Sequence, residues 1–218
     1  GWGQNIYATQ MPAGEGADLY NKMSSHARNY HNMNWDISDP DITPDYENMA
    51  NGGGTEAQSW LNWDREYEGW KDANLKVQAS LQFTSEKQPL AAWDDPYLAA
   101  YNYGFAFAQH YGPTNGNGFV QTMEVGNEPW HYPASFYLTV LDGMAQGAKD
   151  ADPAMEVFPA AFQSHADYVE MDNEGNYMGA RISETAAQNL DGINSHYYSY
   201  KYRADGVRIG VHPEDPQS

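Results

Sequence analysis

Residues 75–83, LKVQASLQF, alternate without a break between apolar Leu75, Val77, Ala79, Leu81 and Phe83 and polar Lys76, Gln78, Ser80 and Gln82. A period of two predicts a strand with one greasy face. Ahead of it, Trp60, Trp63, Tyr67 and Trp70 recur at three- and four-residue spacing, which predicts an amphipathic helix over about 55–72. Asp95 followed by Pro96 is an N-cap with a first-turn proline. The helix they open carries Tyr97, Tyr101, Phe105 and Ala108 on one face and stops near Gly112. FVQTMEVG (119–126) reads as the next strand. Pro133 opens a helix striped by Tyr137, Val140, Leu141, Met144 and Ala148, which ends at Asp152-Pro153. MEVFPAAF (155–162) is a further strand, a shorter helix spans about 181–190, and GINSHYY (192–198) is the last strand. ARNYHNM (27–33) supplies an earlier one.

Strands alternating with helices at this spacing imply parallel pairing and right-handed crossovers, hence an α/β fold. No glycine-rich phosphate loop follows any strand, which favours a barrel over a doubly wound nucleotide-binding sheet. The expected architecture is a partial (β/α)8 barrel holding about strands 2 to 6, as a single domain over 1–218. The long polar segments 34–54 and 163–180 fall where βα loops wall an active site. If the apolar face of 75–83 meets the helices, Lys76, Gln78, Ser80 and Gln82 point into the barrel.

Composition changes the picture in three ways. Thirty acidic against 11 basic residues give a net charge of -19, which repels nucleic acid and anionic membrane and makes both poor partners. There are no cysteines, so thiolate chemistry and a disulfide framework are excluded. The 17 Tyr, 7 Trp and 7 Phe are abundant, and rings with polar tips suit the flat C–H faces of sugars. No apolar run of about 18 residues predicts a membrane-spanning helix.

The chemistry concentrates at EVGNEPW (124–130). Val120, Thr122, Glu124, Gly126 and Glu128 share parity, so the strand is expected to present Glu128 at its C-terminal tip, where barrel enzymes place their catalysts. Asn127 stands beside it as a donor, and Pro129 blocks continuation of the ladder. Glu124 and Glu128, four residues apart on an extended strand, should lie roughly 13 Å apart. That exceeds the spacing of a retaining or an inverting carboxylate pair, so Glu124 is expected to be structural, with Lys76 on the neighbouring strand as its partner.

Gly126-Asn127-Glu128-Pro129-Trp130 resembles the Asn-Glu-Pro signature of the clan of retaining glycoside hydrolases with (β/α)8 barrels. Glu124-Val125 is similar to the β-xylosidase and iduronidase-like branch, and the aromatic loops resemble agarase-type enzymes. His196-Tyr197-Tyr198 is similar to the His-x-Tyr of the clan's sixth strand, and Arg28 stands where the clan holds an arginine near the nucleophile. The resemblance implies that Glu128 is the acid/base of a double displacement on β-glycosidic bonds, its acidity weakened by burial and by a neighbouring charge. It also implies that Asn127 bonds the sugar 2-hydroxyl and that Arg28 keeps the nucleophile ionised. His196, Trp130, Trp93 and Tyr198 are candidate substrate contacts, the three rings as stacking platforms. The partner is then a polysaccharide or oligosaccharide, no cofactor or metal is expected, and the setting is extracellular or periplasmic. The clan's nucleophile is a Glu closing the seventh strand, and the sequence ends before such a strand. Glu214, between prolines in HPEDPQS (212–218), is not a candidate.

Other acidic clusters read as structure. Asp36, Asp39, Asp41 and Asp45 miss the spacing of a calcium loop and include two prolines, which predicts a solvated loop. Asp172-Asn173-Glu174-Gly175-Asn176 reads as a turn, and His31 and His131 as structural histidines. A non-catalytic carbohydrate-binding barrel is the competing reading. An aldolase or metal-dependent hydrolase would need a strand-end Lys or a His/Asp cluster that the sequence does not offer. With two unpaired sheet edges, an isolated partial barrel is expected to be inactive and poorly soluble.

Overall fold

A computed structural model describes residues 3–5, 17–50, 62–129, 131–160, 182–194, 196 and 200–211. In chain order its elements are β1 (Gly3–Asn5), α1 (Ala17–Asn21), β2 (His26–Asn32), α2 (Met33–Asp36), α3 (Tyr46–Ala50), α4 (Trp63–Asp72), β3 (Lys76–Gln82) and α5 (Pro96–Tyr111). They continue as β4 (Val120–Val125), α6 (Ala134–Ala151), β5 (Glu156–Pro159), α7 (Glu184–Asn189), β6 (Tyr200–Tyr202) and β7 (Arg208–Gly210).

Strands β1 to β5 form one sheet in sequential order, every neighbour parallel. Sequential parallel order with a helical crossover between neighbours is the arrangement of a (β/α) barrel. The expected strand at 27–33 is β2, and Gly3–Asn5 adds one before it. The alternation in β3 behaves as expected, with Val77, Ala79, Leu81 and Phe83 buried in the layer between sheet and helices. Helix α5 starts where the sequence puts it, with the Asp95 carboxylate accepting from the Leu98 amide, and it ends at Gly112.

The buried face of α5 differs from the expected stripe. Ala100, Tyr103, Phe107 and Tyr111 are sealed, whereas Tyr97 is exposed and Tyr101 and Phe105 are half-buried. The reason is a second neighbour. Cβ atoms added at Gly143 and Gly147 of α6 would collide with the Tyr97 and Tyr101 carbonyls, so the expected stripe borders α6 while another face meets the sheet.

The predicted strand at 192–198 is not one in its described part. Residues 192–194 and 196 belong to no ladder, and residues 195 and 197–199 lie outside the described set, as do 51–61 and 163–180. Asp191 explains the difference. Its amide donates to the Val157 carbonyl at 2.9 Å and its carboxylate accepts from the Val157 amide at 2.7 Å. Those are backbone groups of β5 that a sixth strand would pair with. After this segment the chain makes an antiparallel hairpin of β6 and β7, which periodicity did not announce.

Outside the sheet, the polar loop after β2 is solvated at Asp39, Asp41 and Asp45, as expected, but Asp36 is the centre of a buried knot. Asp36 is 5% exposed. Its Oδ2 accepts from His31 Nε2 at 2.6 Å, Tyr103 Oη at 2.6 Å and Tyr46 Oη at 2.8 Å, and its Oδ1 accepts from Trp63 Nε1 at 3.1 Å. Burial pushes the Tyr46 and Tyr103 hydroxyls well above the usual phenol range, so both remain donors. His31 stacks on Trp63 at 4.1 Å and contacts Tyr67 Oη at 2.7 Å through Nδ1. One carboxylate thus ties β2 to four helices. Asp45 works locally, accepting from the Asn48 amide, whereas Asp41 accepts from the distant Asp94 amide ahead of α5. Replacing Asp36 with Ala strands four buried donors and is expected to cost about 3–5 kcal/mol in denaturant unfolding. A loss below about 1 kcal/mol would contradict the knot's structural weight.

Candidate active site

The site forms where β4 ends. Register places Ser80 of β3 beside Glu124 of β4 and Tyr30 of β2 beside Ser80, so these side chains share one level inside the sheet's concave face. The ladder slips between Val77 and Gln78, leaving Gln121 unpaired, and its side-chain Oε1 accepts from the Val77 amide at 2.9 Å. This bulge reverses parity, so Val120 joins the helix-facing layer while Thr122 and Glu124 face inward.

Two left-handed residues then turn the chain. Gly126 has φ +87°, and its carbonyl accepts from Ser80 Oγ at 2.9 Å. A Cβ there would reach only ordinary contact with Phe83, Pro129 and Ala160, so it is the left-handed backbone that calls for glycine. Glu128 has φ +50°, a conformation that a non-glycine residue adopts only when its surroundings hold it there. Tyr137 of α6 supplies one clamp, donating to the Val125 carbonyl at 3.0 Å and accepting from the Ala160 amide at 2.6 Å, so it pins the tips of β4 and β5 together. Glu128 therefore reaches the rim through a tight turn and not by strand alternation.

At that rim, His196 Nδ1 contacts Glu128 Oε1 at 2.7 Å, with the Glu128 side chain 25% exposed. The same ring places Nε2 3.7 Å from Glu124 Oε1, too long for a hydrogen bond but close enough for strong charge coupling. One imidazole therefore spans the two carboxylates, and they lie closer than the roughly 13 Å of an extended strand. Glu124 is fully buried. Its Oε2 accepts from Arg28 through Nε at 2.9 Å and Nη2 at 2.5 Å, and its Oε1 accepts from Asn194 Nδ2 at 2.5 Å. Arg28 Nη2 also donates to Asn127 Oδ1 at 2.9 Å, which turns the amide so that its Nδ2 is the outward donor.

The expected partner of Glu124, Lys76, is corrected by this geometry. Lys76 is exposed and lies four residues before Ser80, at the opposite end of the strand from the rim. Inward parity was right, but depth along the barrel excluded contact. Arg28, from β2, takes that place, and its guanidinium lies over the Tyr30 ring at 5.1 Å. Arg28, Asn127, Glu128 and His196 are thus brought together. Trp93 is not with them. It is 5% exposed, packed edge-on against Phe83 and Phe136, with Nε1 donating to the Gln88 carbonyl, and offers no free face to a sugar. Trp130 and Tyr198 lie outside the described residues. Asn194 and Ser80 are site residues that the sequence reading missed.

No family model and no curated protein matches the chain. Solved structures do. The chain is similar to the endoglucanase Cel5A of Pseudomonas stutzeri, with TM-score 0.64 and 13% identity over 92% of this chain and 60% of that one. The endo-β-1,4-glucanase Xac0029 of Xanthomonas axonopodis pv. citri aligns with TM-score 0.63 and 14% identity, over 89% of this chain and 58% of that one. An endo-1,4-β-D-mannanase of Thermotoga petrophila aligns with TM-score 0.50 and 13% identity, over 80% and 62%. The fold is a partial (β/α)8 barrel. The chain spans about three-fifths of the length of these neighbours.

Electrostatics at the rim follow from the burial of Glu124. Glu124 chiefly, and then Glu128, raise the His196 pKa above its ordinary 6.5, against the opposing pull of desolvation. A raised folded-state pKa stabilises the fold fully below about 6.5, and this contribution is lost as pH rises through the folded value. The thermal-stability gap between the wild type and His196→Gln should therefore shrink as pH is stepped upward from 6 in melting experiments. A gap that is constant with pH would show that the imidazolium is not held there.

Proposed function

We propose that the chain carries the acid/base half of a glycoside hydrolase site that cleaves β-glycosidic bonds in a polysaccharide or oligosaccharide by double displacement. The observation that carries this reading is Glu128 itself. It is a partly exposed carboxyl at the C-terminal tip of a barrel strand, on a left-handed residue, with an imidazole at 2.7 Å and an oriented amide next to it. Strained backbone that places a titratable group at a barrel rim is the signature of a working site.

In the first step Glu128 transfers its proton to the glycosidic oxygen as the bond to the anomeric carbon breaks and a second carboxylate takes that carbon. In the second step Glu128 removes a proton from water as the oxygen of that water displaces the carboxylate. The His196 imidazolium stabilises the anionic Glu128 between these steps. Glu124 is not the attacking group, because it is buried and both oxygens are engaged by Arg28 and Asn194. By the resemblance, the nucleophile is a Glu closing the seventh barrel strand, which the described residues do not supply. Asn127 Nδ2 is the donor to the sugar 2-hydroxyl, and Trp130 and Tyr198 are assigned to ring stacking by resemblance alone. A polymeric substrate would favour an extracellular or periplasmic setting.

A leaving-group series tests the role of Glu128. An acid matters most when the departing alkoxide is basic, so Glu128→Ala should lower kcat/KM on alkyl or sugar leaving groups by about 10²–10⁴. On aryl leaving groups of low pKa the bond-breaking step should be nearly unaffected. A loss independent of leaving-group pKa, or no loss at all, would remove Glu128 from proton transfer, and glycan binding without turnover by the wild-type protein would favour a barrel that only binds.

A further inference from the structure

Glu124 does more than satisfy a buried arginine. Its two oxygens address the two sides of the rim separately. Oε2 fixes Arg28 through Nε and Nη2, and the same Nη2 holds Asn127 Oδ1 at 2.9 Å. Oε1 takes Asn194 Nδ2, two residues before His196, and lies 3.7 Å from His196 Nε2, while His196 Nδ1 meets Glu128 at 2.7 Å. Among the described residues, both His196 and Asn127 are thus tied to a single fully buried carboxylate, His196 directly and Asn127 through Arg28. Being sealed, Glu124 cannot touch substrate. Being charged in a low-dielectric interior, it acts more strongly on its partners than a surface acid would.

We propose that Glu124 is the positioning residue of this site, aiming Asn127 through Arg28 and Glu128 through Asn194 and His196. The inference rests on the acid/base reading of Glu128, yet most of its test needs no turnover. His196 is faced by Glu128 and Glu124, with Arg28 beyond Glu124, so its ring reports on the arrangement.

The experiment follows the His196 imidazole by ¹⁵N-resolved NMR titration in the full chain, as wild type, Glu124→Gln and Glu124→Asp. Glu124→Gln keeps the shape but removes the charge, and should bring the midpoint of His196 down toward 6.5 and release the fixed ring orientation. Glu124→Asp retains the charge with one methylene less reach and should fall between. If Glu124→Gln fails to fold, the aspartate variant decides. A midpoint and ring environment unchanged from wild type overturn the proposal. Where hydrolysis is measurable, Glu124→Gln should lower kcat by about a hundredfold with KM little changed, since a misplacement near 1 Å suffices for that. A change confined to melting temperature, with kcat intact, would make Glu124 merely structural. Failure of the leaving-group series would instead remove the hydrolase reading and leave the titration result standing.

Discussion

A carboxylate inside a protein must find its counter-charge there, and Glu124 is such a group at the centre of the sheet's concave face. It has no water to turn to. The neighbouring strands must therefore bring a cation and further donors to its level, and Arg28, Asn194 and His196 answer that demand. Removing Arg28 would leave an uncompensated charge and removing Asn194 an unsatisfied oxygen, so the relative heights of β2, β4 and the segment after α7 are fixed more tightly than ladder hydrogen bonds alone would fix them. The rim geometry follows from this depth.

Asp36 solves the same problem on the other side of the sheet by a different route. Its partners are a histidine, an indole and two phenols, and with them it gathers α2, α3, α4 and α5 around β2. Aromatic side chains suit this role because each buries a large apolar body and offers a single polar tip. Much of the aromatic content that looked like sugar-binding surface is therefore consumed in packing. Tyr67, Tyr103, Tyr111, Tyr137 and Trp70 are all sealed, as is Trp93. Of the buried acids among the described residues, Asp36, Glu66, Glu124 and Asp152, it is Glu124 that connects to the rim.

What the sequence makes legible is what repeats. Alternation in 75–83, the stripe of 134–151 and the Asp95-Pro96 cap translate directly into β3, α6 and the start of α5, because each depends on local periodicity or a local hydrogen bond. Errors arise where one residue changes the count or where two surfaces compete. The bulge at Gln121 breaks the parity that was used to aim Glu128, although Glu128 still arrives at the rim by way of Gly126 and its own left-handed turn. Inward parity identified Glu124 as needing a partner, but parity carries no information on depth, so Lys76 was chosen where Arg28 is found. The segment 192–194 has strand-like composition, yet Asp191 occupies the Val157 amide and carbonyl of β5. Helix α5 is apolar on two sides because it packs on both the sheet and α6, and one stripe could not describe it.

The two glutamates of EVGNE show how one short segment assigns different chemistry to identical side chains. Both lie against the same imidazole, but Glu124 has every oxygen occupied and no solvent, whereas Glu128 keeps a quarter of its side chain open. The difference comes from the turn between them. Had the strand continued straight, Glu128 would stand roughly 13 Å further along, beyond the reach of a ring that also touches Glu124. The positive φ angles at Gly126 and Glu128 fold the tip back, and Pro129 prevents the chain from pairing onward. That conformation is unfavourable in isolation, and Ser80, gripping the Gly126 carbonyl, and Tyr137, gripping that of Val125, help to hold it. Packing energy from α6 and β3 is in this way converted into the placement of one ionisable group at a barrel's rim.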